Sequence, residues 1–327
     1  MKKKILVSGL VSLFLIALTI SCSPGENGEL PPEEVNYQIC CWNLEHFSPT
    51  AKRGFPEVSP RIDPRTEEQL NALAAKIRDE IKAEIYLFSE IENEAYFASF
   101  VQKIGADWKY DIGISGSQQK TAFVWNTNAV KEIKAGDIDI SDTFFDSSRN
   151  RDRKIFDRSP QLLHIVFLDT EGQEKNDVLL IGLHMISGER WNKPRQKGME
   201  ILLTKLPGFL TDNGFDTNEK DFVFLGDLND DTFLKFYDNK PDNQQLQFLF
   251  PFMVSKGYIA LVSSNYPGTR VSGRQIDHII ISWDFMDECF NTEAEVLVPY
   301  IDFNDYRVKF TDHFPVLIYV RLYKDDD

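Results

Sequence analysis

The chain has 327 residues, 42% of them hydrophobic and 27% charged, which supplies apolar material for a large core and excludes an intrinsically disordered chain. Four cysteines in this length exclude a disulfide-framed mini-protein, and a single apolar run near the start excludes a polytopic membrane protein. The formal charge is −15, with 36 basic against 51 acidic side chains, so nothing global attracts the chain to polyanions.

In chain order, Lys2, Lys3 and Lys4 lead an apolar stretch from Ile5 to Ile20, broken by Ser8, Gly9, Ser12 and Thr19 and followed by Ser21 and Cys22. A basic start and a short apolar run have the layout of an export signal. With Ser21 ahead of Cys22 it resembles the signal of bacterial lipoproteins, which implies a signal peptide over residues 1–21 and acylation of Cys22 as the first mature residue. That family prefers a leucine-like residue three places before the cysteine; here Thr19 stands there and Leu18 one place further out. A plain secretory signal or a single membrane anchor is the alternative reading. Residues 22–36 are rich in Pro, Gly, Glu and Asn with little to bury, and read as a tether. The expectation is an exported protein anchored in the cell envelope, at the outer membrane or cell surface, or else periplasmic or secreted. Losing the three lysines would take the charge to −18.

Beyond Asn36, apolar strands alternate with helical stretches. Tyr37–Trp42 predicts a strand; Thr66–Gln69 fits a capping box, after which Leu70, Leu73, Ala74, Ile77 and Ile81 recur at helical spacing. Ile85–Phe88 reads as the next strand, and a second helix ends near Gly105. Further strands are expected at Ala122–Trp125, at Leu162–Leu168 and, across a Glu171-Gly172 turn, at Val178–Leu183. A leucine-rich helix follows Pro194, and Phe222–Leu225, Ile279–Ile281 and Pro315–Val320 complete the series. With no internal repeat and no second linker, residues 37–323 are expected to form one mixed α/β domain. Adjacent Cys40 and Cys41 in a strand point to opposite faces, so at most one could pair with Cys289; buried small apolar residues are the favoured reading. No cysteine spacing suits a metal.

Chemistry concentrates where the strands end. In order stand Trp42-Asn43-Leu44-Glu45, Ser89-Glu90-Ile91-Glu92-Asn93, Leu183-His184, Gly226-Asp227-Leu228-Asn229-Asp230, Ile276-Asp277-His278-Ile279 and Thr311-Asp312-His313-Phe314-Pro315. A sheet that ends repeatedly in Asn, Glu, Asp and His builds a cleft of fixed carboxylates and imidazoles where a divalent cation and an anionic substrate can meet. Singly each has a plainer reading: a lone carboxylate after a strand is usually a cap, and a lone histidine such as His184 is usually a core residue bonded to a carbonyl. His278, His46 and His164 are read as structural, Glu92 and Asp230 as caps or supporting groups, and Glu45 as a secondary metal candidate or a solvated loop residue.

Taken together, these blocks resemble the endonuclease/exonuclease/phosphatase superfamily, the deoxyribonuclease-I-like hydrolases, over Tyr37 to Val320. An early strand ending in Asn, a glutamate after the second strand, Gly-Asp-x-Asn, Ile-Asp-His-Ile and a closing Asp-His before a strand stand in the family's order, and His184 is similar to the first histidine of the deoxyribonuclease and sphingomyelinase branches. The resemblance implies a four-layer α/β sandwich, two mixed β-sheets packed face to face with helices outside. It implies Glu90 as principal ligand of Mg²⁺, or Mn²⁺, with Asn43 and Asp312 completing or supporting the oxygen shell. Asp227 would orient or deprotonate the attacking water and Asn229 would donate to a phosphate oxygen. Asp277 would hold and polarise His313 against the phosphate, with His184 acting from the opposite side.

Two basic patches interrupt the acidic whole: Arg149, Arg151, Arg153, Lys154 and Arg158, then Arg190, Lys193, Arg195 and Lys197. Arg158-Ser159-Pro160 is similar to the family's arginine before the strand leading to the first histidine, which makes Arg158 the phosphate-binding candidate; the others are rim groups or a solvated loop. Where deoxyribonuclease-like members place a tyrosine and an acidic partner for that histidine, this chain has Ser117, Gln118, Gln119 and Lys120. The expected function is a metal-dependent phosphodiester hydrolase, a nuclease of low sequence specificity acting on short strands or small diesters. The alternatives are a phospholipid or phosphoinositide phosphoesterase of the sphingomyelinase type, or a surface binding module that kept the fold and lost the chemistry. No protein partner is expected, and the chain is expected to be a monomer touching the membrane only through its lipid anchor.

Overall fold

Continuous apolar runs along the inner strands dictate the architecture, because each of these strands buries both of its faces. The structure is a computed structural model that describes residues 36–53, 62–114, 118–188, 191–230, 249–261, 268–289, 293–299 and 301–321. The described residues belong to one compact unit; the signal, Cys22 and nearly all of the tether lie outside them, as do Ser117 and Arg190.

The first sheet has six strands: β1 (Asn36–Phe47), β2 (Ile85–Ile91), β3 (Trp108–Ile112), β4 (Lys120–Asn126), β13 (Glu295–Val296) and β14 (Val316–Arg321), in the order β13-β14-β1-β2-β4-β3. β1 runs parallel to β2, and its pairing with β14 is antiparallel. The second sheet contains β5 (Val130–Asp137), β8 (Gln161–Leu168), β9 (Glu174–His184), β10 (Phe222–Asp227), β11 (Tyr258–Leu261) and β12 (Asp277–Ser282), in the order β11-β12-β10-β9-β8-β5. Here β9 and β10 are parallel and β10 and β12 antiparallel. Between β5 and β8, β6 (Thr143–Asp146) and β7 (Arg151–Lys154) form a separate hairpin.

Between the sheets, Ile39, Cys41 and Leu87 meet Leu163, Ile165, Val178, Leu180, Val223, Leu225, Ile279 and Ile281 in one buried cluster. The alternate residues of the second sheet, Leu162, Leu179, Ile181, Leu183, Phe224 and Ile280, face outward and pack on Met199, Leu202, Leu206 and Leu210 of helix α3 (Asn192–Asn213). Outside the first sheet, Phe88 lies 6.0 Å from Phe97 and 6.4 Å from Phe100 of helix α2 (Glu94–Ile104). Helix α1 (Glu67–Ala75) starts at the predicted capping box: Thr66 Oγ1 accepts from Gln69 N at 3.2 Å and Gln69 Oε1 from Thr66 N at 2.9 Å. Pro194 sits in the first turn of α3, where no helical amide bond is owed. The result is the expected four-layer sandwich. Each large side chain buried in it contributes about 1.5–3 kcal/mol.

Cys40, Cys41 and Cys289 are free and buried. The sheets approach closely at Gly182, where an added Cβ would lie 2.5 Å from Leu87 Cδ1 of the facing sheet. That approach lets side chains from both sheets touch at one end of the sandwich.

Candidate active site

In the second sheet, β9, β10 and β12 end side by side. Asp227 is in register with His184 on one flank and Asp277 on the other, and alternation turns all three toward the first sheet with Leu225 and Ile279. Gly226 keeps this row aligned: its φ is +129°, and a Cβ there would lie 2.1 Å from the Leu183 carbonyl oxygen. Asp227 Oδ1 accepts from Asn229 N at 2.9 Å, which turns the chain immediately past the strand.

The first sheet delivers its groups differently. Leu87 faces the second sheet and Phe88 faces α2, so regular alternation would send Glu90 outward. Instead Glu90 adopts φ +65°, and the β2–β4 register shifts between Phe88 and Ile91. A left-handed conformation costs a non-glycine residue about 1–2 kcal/mol, and here it turns a carboxylate into the cleft. Its Oε1 accepts from Asn43 Nδ2 at 3.0 Å; its Oε2 accepts from His46 N and Gln119 Nε2, both at 2.9 Å. Glu45 and His46, each at φ +49°, bend the end of β1 to supply that amide.

Asn43 Nδ2 also donates to Asp227 Oδ2 at 3.0 Å, joining the two sheets. On the far side of Asp227, His313 Nδ1 lies 2.7 Å from Asp277 Oδ2, and that oxygen also accepts from Thr269 Oγ1 at 2.8 Å. His313 Nε2 stands 3.6 Å from Asp312 Oδ1, and the backbone carbonyl of His313 accepts from Trp42 Nε1 at 2.9 Å. Asp312 Oδ2 accepts from Arg270 Nε at 2.8 Å and from Arg270 Nη2.

These contacts separate the two imidazoles. Burial works against a charged His313, but the Asp277, Asp312 and Asp227 carboxylates outweigh it and push its pKa up to about 10. His184 is held well below the usual histidine range by burial, then by the Arg158, His313 and His46 charges. His313 is therefore the imidazolium and His184 the neutral ring near pH 7. Burial, Asp277 and Glu90 raise Asp227 to about 7 against the lowering effects of His313 and Asn43. Burial would also raise Asp312, but His313 and Arg270 hold it below the usual carboxylate range.

The structure brings Asn43, Glu90, His184, Asp227, Asp277, Asp312 and His313 to one end of the sandwich. Asp312 is turned to Arg270 and His313 rather than to Asn43 and Glu90. Asn229 uses its amide Nδ2 on the Met185 carbonyl, 3.0 Å away, and so ties the segment after His184 to the one after Asp227. Arg158 donates through Nη2 to Gln119 Oε1, and its buried Nε has no hydrogen-bond partner.

Several expectations need correction. Glu45 is not a solvated loop residue: it is buried, with Oε1 3.0 Å from Arg307 Nη2. His46 supports Glu90 through its backbone amide, and its Nδ1 contacts Glu92 Oε1 at 2.6 Å, in keeping with a structural role. Arg195 does not rim the cleft; it is buried and donates to the Ile186 and Gly188 carbonyls at 3.0 and 2.9 Å. Arg153 pairs with Asp157 at 2.5 Å, Lys197 pairs with Glu200 at 3.1 Å, and Arg149, Arg151 and Lys154 are exposed on the β6–β7 hairpin. His278, by contrast, faces away from Asp277 as expected, with Nε2 2.7 Å from the Asp230 carbonyl. Sequence reading passed over Gln119, Thr269 and Arg270, lone polar residues that only strand register and loop closure bring to the site.

The Glu90 and Asp227 carboxylates suit a hard cation. Ligand atoms of Glu90, His184 and Asp227 lie within 4.8 Å of one another, as do those of Asp227, Asp277 and His313. His184 Nδ1 is buried without a hydrogen-bond partner. The Asn43 amide bridges Glu90 and Asp227, and a divalent ion between them would offset their repulsion far more.

No family model matches the chain, and no curated protein matches it. Solved structures do. An endonuclease/exonuclease/phosphatase family protein from Bacteroides thetaiotaomicron aligns with a TM-score of 0.55 at 16% identity, covering 90% of this chain and 100% of that one. D. rerio TDP2, complexed with a single-strand DNA product, aligns with a TM-score of 0.51 at 13% identity over 88% of this chain and 99% of its own. A mannosyl-6-phosphatase from Bacteroides thetaiotaomicron aligns with a TM-score of 0.50 at 15% identity over 87% and 99%. At these identities the likeness shows the fold.

Proposed function

From the deoxyribonuclease-I-like fold of this chain, we propose that it is a divalent-metal-dependent phosphoester hydrolase, and more specifically an exported, envelope-anchored nuclease of low sequence specificity. One observation carries the reading: Asn43 bridges Glu90 of one sheet to Asp227 of the other, beside the Asp277–His313 pair, so carboxylates and an imidazolium surround one small volume. Glu90, supported by Asn43, would hold Mg²⁺ or Mn²⁺, while Asp312 is engaged by Arg270 and His313. The ion would supply charge relief on the phosphoryl oxygens. Asp227, with a pKa of about 7, is ionised in part near neutrality and suited to orient and deprotonate a water. His313, anchored through Nδ1 on Asp277, leaves Nε2 to donate to a phosphoryl or leaving oxygen. Arg158, with a buried unpaired Nε, and neutral His184 would contact the phosphate from the opposite side. Asn229 would then support the site mainly through the Met185 segment.

The negative charge of the chain disfavours long duplexes and favours short strands or small diesters. A phospholipid or phosphoinositide headgroup carries the same ester and is the second reading. The test is a substrate panel with Mg²⁺ and with Mn²⁺: plasmid DNA, RNA, an abasic duplex, sphingomyelin, phosphoinositides, a sugar phosphate and a chromogenic diester. Cleavage of DNA and the diester that a chelator abolishes is the expected result. Cleavage of lipid alone would move the substrate to the membrane, and no cleavage of any ester would leave a binding module.

A further inference from the structure

A second group of metal-ligating side chains stands on the outer face of the second sheet. His164 of β8 and Asp177 of β9 are near neighbours there, with His164 Nε2 2.5 Å from Asp177 Oδ2. Glu219, from the segment between α3 and β10, completes the group, and one ligand atom from each residue lies within 4.8 Å of the others. His164 and Glu219 are buried, and Asp177 is partly open to solvent. Asp177 precedes His184 by seven residues on β9, on the order of 23 Å at about 3.3 Å per residue, and faces the opposite side of the sheet. The group is therefore separate from the candidate active site.

Three features point to a ligand. The donors come from three chain segments and combine one imidazole with two carboxylates, a set that suits a borderline ion better than the oxygen-only shell preferred by Mg²⁺ or Ca²⁺. His164 Nδ1 is buried with no hydrogen-bond partner, so the ring keeps one nitrogen unsatisfied in either tautomer. Glu219 Oε1 accepts from Asp221 N at 2.6 Å, which fixes the carboxyl against the cluster as an outer hydrogen bond fixes a metal ligand. We propose that His164, Asp177 and Glu219 form a second metal site, which takes a zinc-class divalent transition ion with water filling the remaining position.

The experiment uses chelator-treated full-length protein carrying Glu90→Gln and Asp227→Asn, which disable the other site. Calorimetric titration with Zn²⁺ at pH 7 should give one equivalent bound, and the ion should raise the Tm. Asp177→Asn and Glu219→Gln, each added to that background, should weaken binding at least about 10-fold. Co²⁺ in the unmodified cluster should give a visible spectrum of nitrogen and oxygen ligation, a readout that survives if a variant fails to fold. Absence of Zn²⁺ binding, binding that neither substitution weakens, or a Co²⁺ spectrum of the hexa-aquo ion would overturn the site and leave a hydrogen-bonded cluster. None of these outcomes touches the proposed phosphoesterase, whose principal ligand Glu90 is absent from the background.

Discussion

The two sheets reach the candidate site by different means. In the second sheet, β9, β10 and β12 run in unbroken register to His184, Asp227 and Asp277, and the positive-φ position within these strands is filled by Gly226, next to a candidate site residue. In the first sheet the functional residue is itself the irregularity: Glu90 is left-handed, as are Glu45 and His46, and the strand registers shift around them. Glycine could relieve conformational cost at Glu90 only by deleting the carboxylate. Backbone strain at a charged residue that three donors hold in place marks a position kept for its chemistry.

Removing a carboxylate from either side should have the largest effect. Glu90→Gln and Asp227→Asn should each lower metal-dependent ester cleavage by about 10³-fold or more with far-UV circular dichroism unchanged; a loss from one side alone would show that the sheets do not share one centre. Next come Asp277→Asn and His313→Ala, with losses of about 10²–10⁴-fold in kcat/KM. The Asp277–His313 pair also sets a pH dependence. The folded pKa of His313, about 10, is raised above the unfolded value, about 6.5, so its stabilisation is complete below that value and is lost as pH rises through about 10. The fall in Tm of metal-free protein between pH 7 and 10 should be shallower in Asp277→Asn than in wild type.

Stability should separate the two sheets further. Gly226→Ala places a methyl against the Leu183 carbonyl and should cost at least about 3 kcal/mol in denaturant unfolding. Glu90→Gly relieves a left-handed position, so it should change stability by no more than about 1 kcal/mol, in either direction, while abolishing activity. A loss as large as that of Gly226→Ala would show that the Glu90 hydrogen bonds, not its backbone, dominate. The smallest effect is expected for Gln119→Ala, which removes the side chain that positions Arg158 by linking it to Glu90 and should raise KM about 10-fold with little change in kcat.

Strands inside each sheet were legible because they bury both faces and read as apolar runs, as in Ile85–Phe88 and Val178–Leu183. The four edge strands were not: β3, β5 and β13 dilute their apolar residues with Lys, Glu or Asp, and β11, though apolar, is only four residues long. At the site, the residues following strong strands could be found because each carries its chemistry beside an apolar anchor. The left-handed turn at Glu90 and the reach of Gln119, Thr269 and Arg270 could not, because they depend on register and on loops closing across the sandwich.

The three buried sulfhydryls give the sandwich an internal reporter. Burial raises Cys40 and Cys41 well above the ordinary thiol range and Cys289 to about 12, so almost no thiolate forms while the layers stay closed. Cys40 and Cys41 lie in β1 at the centre of the first sheet, and Cys289 is bridged to Val320 of β14. Labelling by an alkylating reagent would therefore record how often those central layers part, with no engineered probe.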